Sequence, residues 1–184
     1  MVSTLPADAL TRAQTGEPAA LSLIYQSLSP AVLGYFVGRG SEDPEALTQE
    51  VFLAVFSRLD SVTGGLPGLR TFTFSVAHAR YVDEVRRRTR APVLVGYEVD
   101  GDTRTTDSAE AVALGNLGIG GAGGLLEQLN PEQREVILLR IVAELPIDQV
   151  AEILGKSAGS VKQLQRRGLL KLKELVHLDE SEAQ

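Results

Sequence analysis

The chain has no cysteine and only 2 histidines among its 184 residues, which excludes disulfide frameworks, thiolate nucleophiles and cysteine-rich zinc sites. A reducing cytoplasm suits such a chain. Tryptophan is absent as well, and aromatic residues make up 5% of the sequence. The opening stretch, MVSTLPADALTRAQTGEP, has no basic flank followed by an apolar run. No apolar stretch is expected to cross a bilayer, so membrane insertion is not anticipated. Catalytic machinery is equally hard to find. The histidines are isolated, no glycine-rich phosphate loop follows a strand, and no paired carboxylates have metal-ligand spacing. The sequence therefore predicts no enzyme, no metal and no cofactor.

Positive charge is also scarce overall: 18 Lys and Arg face 24 Asp and Glu, a formal net charge of −6. Such an average argues against a nucleic-acid partner, because phosphate binding needs clustered Lys and Arg. The distribution reverses the inference. Residues 1–60 carry 3 basic and 7 acidic groups, whereas 61–90 carry 6 and 2. Residues 91–128 hold 1 basic and 6 acidic, and 129–154 hold 2 and 5. Residues 155–173 then hold 6 basic groups and no acidic one, before 4 acidic groups in the last eleven residues. Two basic patches thus sit in an acidic chain.

Helical punctuation dominates the first ninety residues. Pro18 opens one segment, and Ser41 followed by Pro44 opens another, as N-caps and first-turn prolines do. Between Asp43 and Leu59, Leu47, Val51, Val55 and Leu59 recur every four residues, with Phe52 and Phe56 broadening the apolar face. Glu45, Gln49, Glu50 and Arg58 mark the polar face. From Leu69 to Arg90, Phe74, Ala77, Tyr81 and Val85 form one stripe and Leu69, Phe72 and Val76 a second, so the first half of that helix is expected to be buried on two sides. Its end carries Arg86, Arg87, Arg88 and Arg90, cations that a helix C-terminus favours in any protein. After Pro92 the stretch becomes polar, acidic and rich in glycine, and 91–124 reads as a flexible linker. Order returns at Leu125, and Asn130, Pro131 and Gln133 form an N-cap, first-turn and capping-box set.

The most informative pattern follows. Ala151, Gly155 and Val161 have helix-turn-helix spacing: a small residue for close helix crossing, a glycine for the positive φ of the turn, and a plug for the shared core. Ser157 is placed to cap the second helix. The side of that helix left over from the core presents Ser160, Lys162, Gln163, Arg166 and Arg167, with Lys156 in the turn. It is basic, polar and free of carboxylates. Arg pairs with guanine and Gln with adenine in the major groove, while Lys mainly holds phosphate.

Segments DPEALTQEVFLAVFSRL, LRTFTFSVAHARYVDEVRRRTR and LEQLNPEQREVILLRIVAELPIDQVAEILGKSAGSVKQLQRRGLLKLKEL, in that order, resemble the extracytoplasmic-function group of bacterial sigma-70-family sigma factors. The resemblance implies an all-α fold of two small helical domains. Residues 1–90 would form a region-2-like bundle, 91–124 the linker, 125–178 a region-4-like helix-turn-helix domain and 179–184 an acidic tail. It implies that Glu45, Gln49, Glu50 and Phe52 dock on core RNA polymerase, with the β′ clamp and β flap as the contact sites. The loop DSVTGGLPG, residues 60–68, stands where the family captures a flipped-out base, which Ser61 to Gly68 would hold. Ser61, Thr63, Gly64, Arg70, His78, Arg80, Arg86, Arg87 and Arg88 would then meet the −10 element, and His78 equally fits an ordinary core-edge histidine. Lys156, Ser157, Ser160, Lys162, Gln163, Arg166 and Arg167 would meet the −35 element. Promoter DNA and a cognate anti-sigma factor are the other implied partners.

The chain departs from the family at three places. Phe72 stands where members often have tryptophan, Leu164 and Gln165 replace an arginine and an apolar residue, and Gly168 falls mid-helix at a cost of about 1 kcal/mol relative to Ala. The main alternative is a conventional helix-turn-helix regulator, which binds duplex DNA without polymerase, usually as a dimer on a palindrome. Such a regulator has no need of the basic helix at 69–90.

Overall fold

A computed structural model describes residues 5–90 and 123–182, with side chains through residue 177; most of the stretch read as a linker lies outside the described residues. Every regular element among the described residues is helical. The first half comprises α1 (Ala9–Gln14), α2 (Pro18–Arg39), α3 (Pro44–Phe56), a 3-10 turn (Leu59–Ser61) and α4 (Gly65–Arg90). Pro18 occupies the first turn of α2, and Gly40 closes it in the left-handed region at φ 70°. The four-residue stripe of α3 is buried as expected: Leu47, Val51, Val55 and Leu59 all lie in the core.

Three details differ from the sequence reading. The cap of α3 is Asp43, whose side chain accepts the Ala46 N–H at 2.9 Å. With Pro44 as the first helical residue, the capping position falls on the residue immediately before it. Ser41 instead donates its hydroxyl to Glu84 Oε1 at 2.8 Å, tying the α2–α3 turn to α4. Secondly, α2 is long and apolar enough by composition to cross a membrane, with a mean hydropathy of 1.3 over its best window. Its apolar residues are spent on the core, where Ile24, Leu28, Val32, Tyr35 and Phe36 are fully or almost fully buried.

Thirdly, α4 begins at Gly65, so half of the expected base-capturing loop belongs to the helix's first turn. Only Gly64 and Gly65, at φ 79° and 64°, use glycine's left-handed freedom. Gly68 is needed for another reason: a Cβ there would lie 1.8 Å from the Thr63 carbonyl oxygen.

The second half comprises α5 (Gly123–Glu127), α6 (Pro131–Ile137) continuing into a π turn (Leu138–Val142), α7 (Ile147–Leu154) and α8 (Ala158–Glu182). Gly123 and Gly124, read as linker, are therefore helical. Asn130 caps α6 as expected, accepting the Gln133 N–H at 2.8 Å. Just beyond the π turn and its cap Ala143 stands Glu144, a non-glycine residue held at φ 52°.

One apolar core runs through both halves. Leu138, fully buried, is seated against Gly38 of α2, where a Cβ would stand 2.6 Å from Leu138 Cδ2. The glycine makes the notch that the leucine fills, because close-packed interiors leave no spare volume for a methyl group.

Candidate nucleic-acid interface

The helix-turn-helix has the geometry its spacing demands. Gly155 ends α7 in the left-handed region at φ 61°, and its N–H returns to the α7 carbonyls. The Ser160 N–H donates to Ser157 Oγ at 3.1 Å, which fixes the start of α8. Val161 is fully buried and Ala151 almost so, pinning the two helices together. This leaves Lys162, Gln163, Arg166 and Arg167 exposed along α8, with Ser160 half-buried at its start. Lys156 lies in the turn, where its ammonium pairs with Glu132 at 2.6 Å. Gln165 turns to Arg140 (3.2 Å). Gly168 faces α6, where a Cβ would lie 3.1 Å from Ile137 Cγ1. Its mid-helix position is thus explained by a neighbouring helix.

The basic end of α4 is exposed too. Arg80, Arg86, Arg87 and Arg90 line a shallow recess interrupted by Asp83. Arg88 reaches Glu42 at 2.9 Å, Arg86 reaches Asp83 at 3.6 Å, and Arg80 reaches Glu50 at 3.8 Å. Such solvent-exposed pairs contribute little and are screened by salt, so a phosphate can displace the carboxylates. Ser61, Thr63 and Gly64 are exposed beside the start of α4, Ser61 donating its hydroxyl to the Arg58 carbonyl at 2.7 Å.

Arg70 and His78 are placed differently, because both are engaged by the second half. Arg70 donates from Nε to the Ala143 carbonyl at 2.5 Å and pairs through Nη2 with Glu144 at 2.9 Å. Thr71, which the sequence did not single out, donates its hydroxyl to Gln149 Oε1. His78 Nδ1 lies 2.9 Å from Glu135 Oε1. The same oxygen is 3.3 Å from Arg39 Nη2. Arg39 also donates to the Pro131 carbonyl at 3.0 Å and stands 4.3 Å over the Tyr81 ring. Burial alone would raise the pKa of Glu135, but the His78 contact and the Arg39 charge outweigh it and hold the carboxyl below its usual range. Burial, with that carboxylate's negative charge nearby, pushes the Tyr35 hydroxyl above its ordinary value.

On α3, Glu45 and Gln49 are exposed and Glu50 is half-buried. Phe52 is not an outward contact: it is 3% exposed and packs edge-on to Tyr25 at 4.8 Å between ring centroids. The adjacent Leu53 takes the outward position at 73% exposure. A one-residue step on a helix turns the side chain by about 100°, enough to exchange core for solvent. The signal was available, since Leu53 is an apolar residue that falls off the four-residue stripe.

A family model described as Sigma-70, region 4 matches residues 125–174. ECF RNA polymerase sigma factor BldN of Streptomyces coelicolor is 29% identical over 170 residues, which cover 90% of this chain and 63% of that protein. ShbA of Streptomyces griseus, also an ECF RNA polymerase sigma factor, is 28% identical over 174 residues, covering 89% of this chain and 91% of its own length. SigD of Mycobacterium tuberculosis is 26% identical over 172 residues, covering 90% and 81%. Among solved structures, CnrH in complex with the cytosolic domain of CnrY shares the fold with a TM-score of 0.59 at 20% identity, covering 95% of this chain and 99% of that one.

Proposed function

This chain belongs to the extracytoplasmic-function group of bacterial sigma-70-family sigma factors, and from that membership we propose that it binds core RNA polymerase and directs it to promoters, without chemistry of its own. The observation that carries the reading is the pairing of two separate basic helical surfaces, α4 and α8, in one chain. Its relatives resemble it over nine-tenths of its length, so the likeness is not confined to the helix-turn-helix that a stand-alone regulator would also have.

In this reading α8 enters the major groove of the −35 element. Arg166, Arg167 and Gln163 face base edges while Lys162 holds phosphate. The exposed arginines of α4 follow the backbone of the −10 element. Ser61, Thr63 and Gly64 stand beside a base drawn out of the stack, an opening that costs a few kcal/mol and is offset by contacts to the freed strand. Glu45, Gln49, Glu50 and the outward Leu53 dock on polymerase, at its β′ clamp, with the β flap receiving the second half. An anti-sigma protein covering these surfaces is the expected regulator, and the site of action is the cytoplasm. Run-off transcription with purified core enzyme on a genomic template library tests the reading. Selection of discrete promoters is expected, and failure to select any would overturn it.

A further inference from the structure

The loop that would hold the flipped-out base is gripped at its root by a residue from the start of the chain. Gln14, the half-buried last residue of α1, donates from Nε2 to the Leu59 carbonyl and to the Val62 carbonyl, each at 3.0 Å. These two carbonyls bracket Asp60 and Ser61. A side-chain amide nitrogen carries two protons, and both are used here. The opposite orientation of the amide is excluded, because Oε1 would then face two oxygens that only accept.

Both sides of this grip are themselves fixed. With 6 residues α1 is too short to be a stable helix alone, and it is held by Ala9, Leu10 and Ala13, all buried. Its end is closed by Gly16 at φ 82° and by Arg12, whose Nε donates to Glu17 Oε2 at 2.8 Å. Opposite, the buried Leu59 and Val62 seat the 3-10 turn in the core. Apolar burial anchors that turn without setting the direction of its backbone, whereas the two hydrogen bonds are directional. The residues that follow are of another kind: Thr63, Gly64 and Gly65 are exposed, and the two glycines stand at positive φ. Gln14 therefore marks the boundary between a fixed root and a free tip.

We propose that Gln14 is a positioning residue for base selection: its amide fixes the backbone from Leu59 to Val62, so that Ser61, Thr63 and Gly64 meet the unstacked base in one arrangement. The inference rests on the base-capture reading of that loop. A residue that touches no DNA sets base preference in this way through preorganisation. A loop that must be ordered during binding loses part of its contact free energy to the ordering, and a loop with several arrangements accepts several bases. Gln14 belongs neither to the outward side of α3 nor to α8, so affinity for polymerase and reading of the −35 element do not depend on it.

Two variants remove the grip. Gln14→Glu keeps the shape of the side chain but sets an oxygen against the two carbonyls, and Gln14→Ala leaves them without the amide. Val32→Ala, at a fully buried position of α2, lowers stability without touching the grip and serves as the control. The Ser61 and Val62 amides donate to the Arg58 and Leu59 carbonyls, and in the full chain they should exchange with solvent about tenfold faster in both Gln14 variants. Holoenzyme assembled with purified core polymerase is then read on promoters randomised through the −10 element. Wild type should prefer one base at the unpaired position. Both Gln14 variants should weaken that preference by at least about fivefold, with polymerase affinity and −35 preference unchanged, and Val32→Ala should retain it. Unchanged amide exchange, faster exchange with the preference intact, or an equal loss in Val32→Ala would each overturn the proposal. Faster exchange in the Gln14 variants, beside a wild type without preference anywhere in the −10 element, would support the hold on the loop and count against base capture.

Discussion

Replacing Glu135 by Ala is the perturbation for which the structure gives the clearest magnitude. The carboxylate is 12% exposed and its oxygen Oε1 contacts Arg39, itself 9% exposed, and His78. Removing one partner of a buried pair costs about 3–5 kcal/mol, because the remaining charge stays desolvated without compensation. Arg39 retains the Pro131 carbonyl and the face of Tyr81, which places the expected loss at the low end, about 3 kcal/mol. For a chain of this size that is a fall of about 6–12 °C in Tm. Thermal and urea unfolding, followed by far-UV circular dichroism, read the loss directly. A pH series adds a second constraint. The folded-state pKa of Glu135 is depressed, so its contribution is complete above the ordinary glutamate value of about 4.3 and disappears as pH falls through the lower folded value. Wild type and Glu135→Ala should differ most near neutrality and converge in acid. A difference below about 0.5 kcal/mol at pH 7, or one that grows on acidification, would refute the assignment of Glu135 as a compensated buried charge.

Other consequences can be checked separately. Val161→Ala removes two buried methyl groups from the helix-turn-helix and is expected to cost about 2 kcal/mol in urea unfolding, with loss of duplex DNA binding. Lys162→Ala should weaken binding to all duplexes alike and reduce the salt slope by about one, whereas Arg166→Ala should relax preference at one base pair; fluorescence anisotropy on a promoter library separates the two. Leu53→Asp should leave the unfolding midpoint within about 0.5 kcal/mol of wild type while reducing affinity for core polymerase at least about tenfold in a surface-plasmon assay. Gly68→Ala places a methyl group against the Thr63 carbonyl and should destabilise the start of α4 by about 1–3 kcal/mol, visible as faster amide exchange there.

Much of this architecture was legible in the sequence because local rules specify it. The Asn130 cap, the Gly155 turn and the Val161 plug each follow from one residue's stereochemistry, and all three stand where the spacing puts them. The buried stripe of α3 follows equally from periodicity. Reading failed where two local signals competed. Four glycines and prolines near residue 65 looked like a loop, yet only Gly64 and Gly65 use positive φ and the helix begins through Pro67. The family resemblance implies Phe52 as a docking residue, but the helical period assigns it to the core and Leu53 to solvent. The joining of the halves left no periodic trace. It depends on a notch at Gly38 meeting a leucine one hundred residues later, and on one carboxylate between Arg39 and His78. Pairings of that kind are written in shape and charge across distant segments, which spacing rules do not reach.

The contact of Gly168 with Ile137 has a mechanical consequence for α8. At about 1.5 Å per residue its 25 residues make a rod roughly 37 Å long, whose bare backbone at Gly168, near the middle, rests directly on the Ile137 side chain of α6. A support so close to the backbone acts as a fulcrum. Tilting the end that carries Lys162 and Arg166 swings the opposite end, with its outward Leu170 and Val176, in the other direction, so whatever grips one arm of the rod sets the angle of the other.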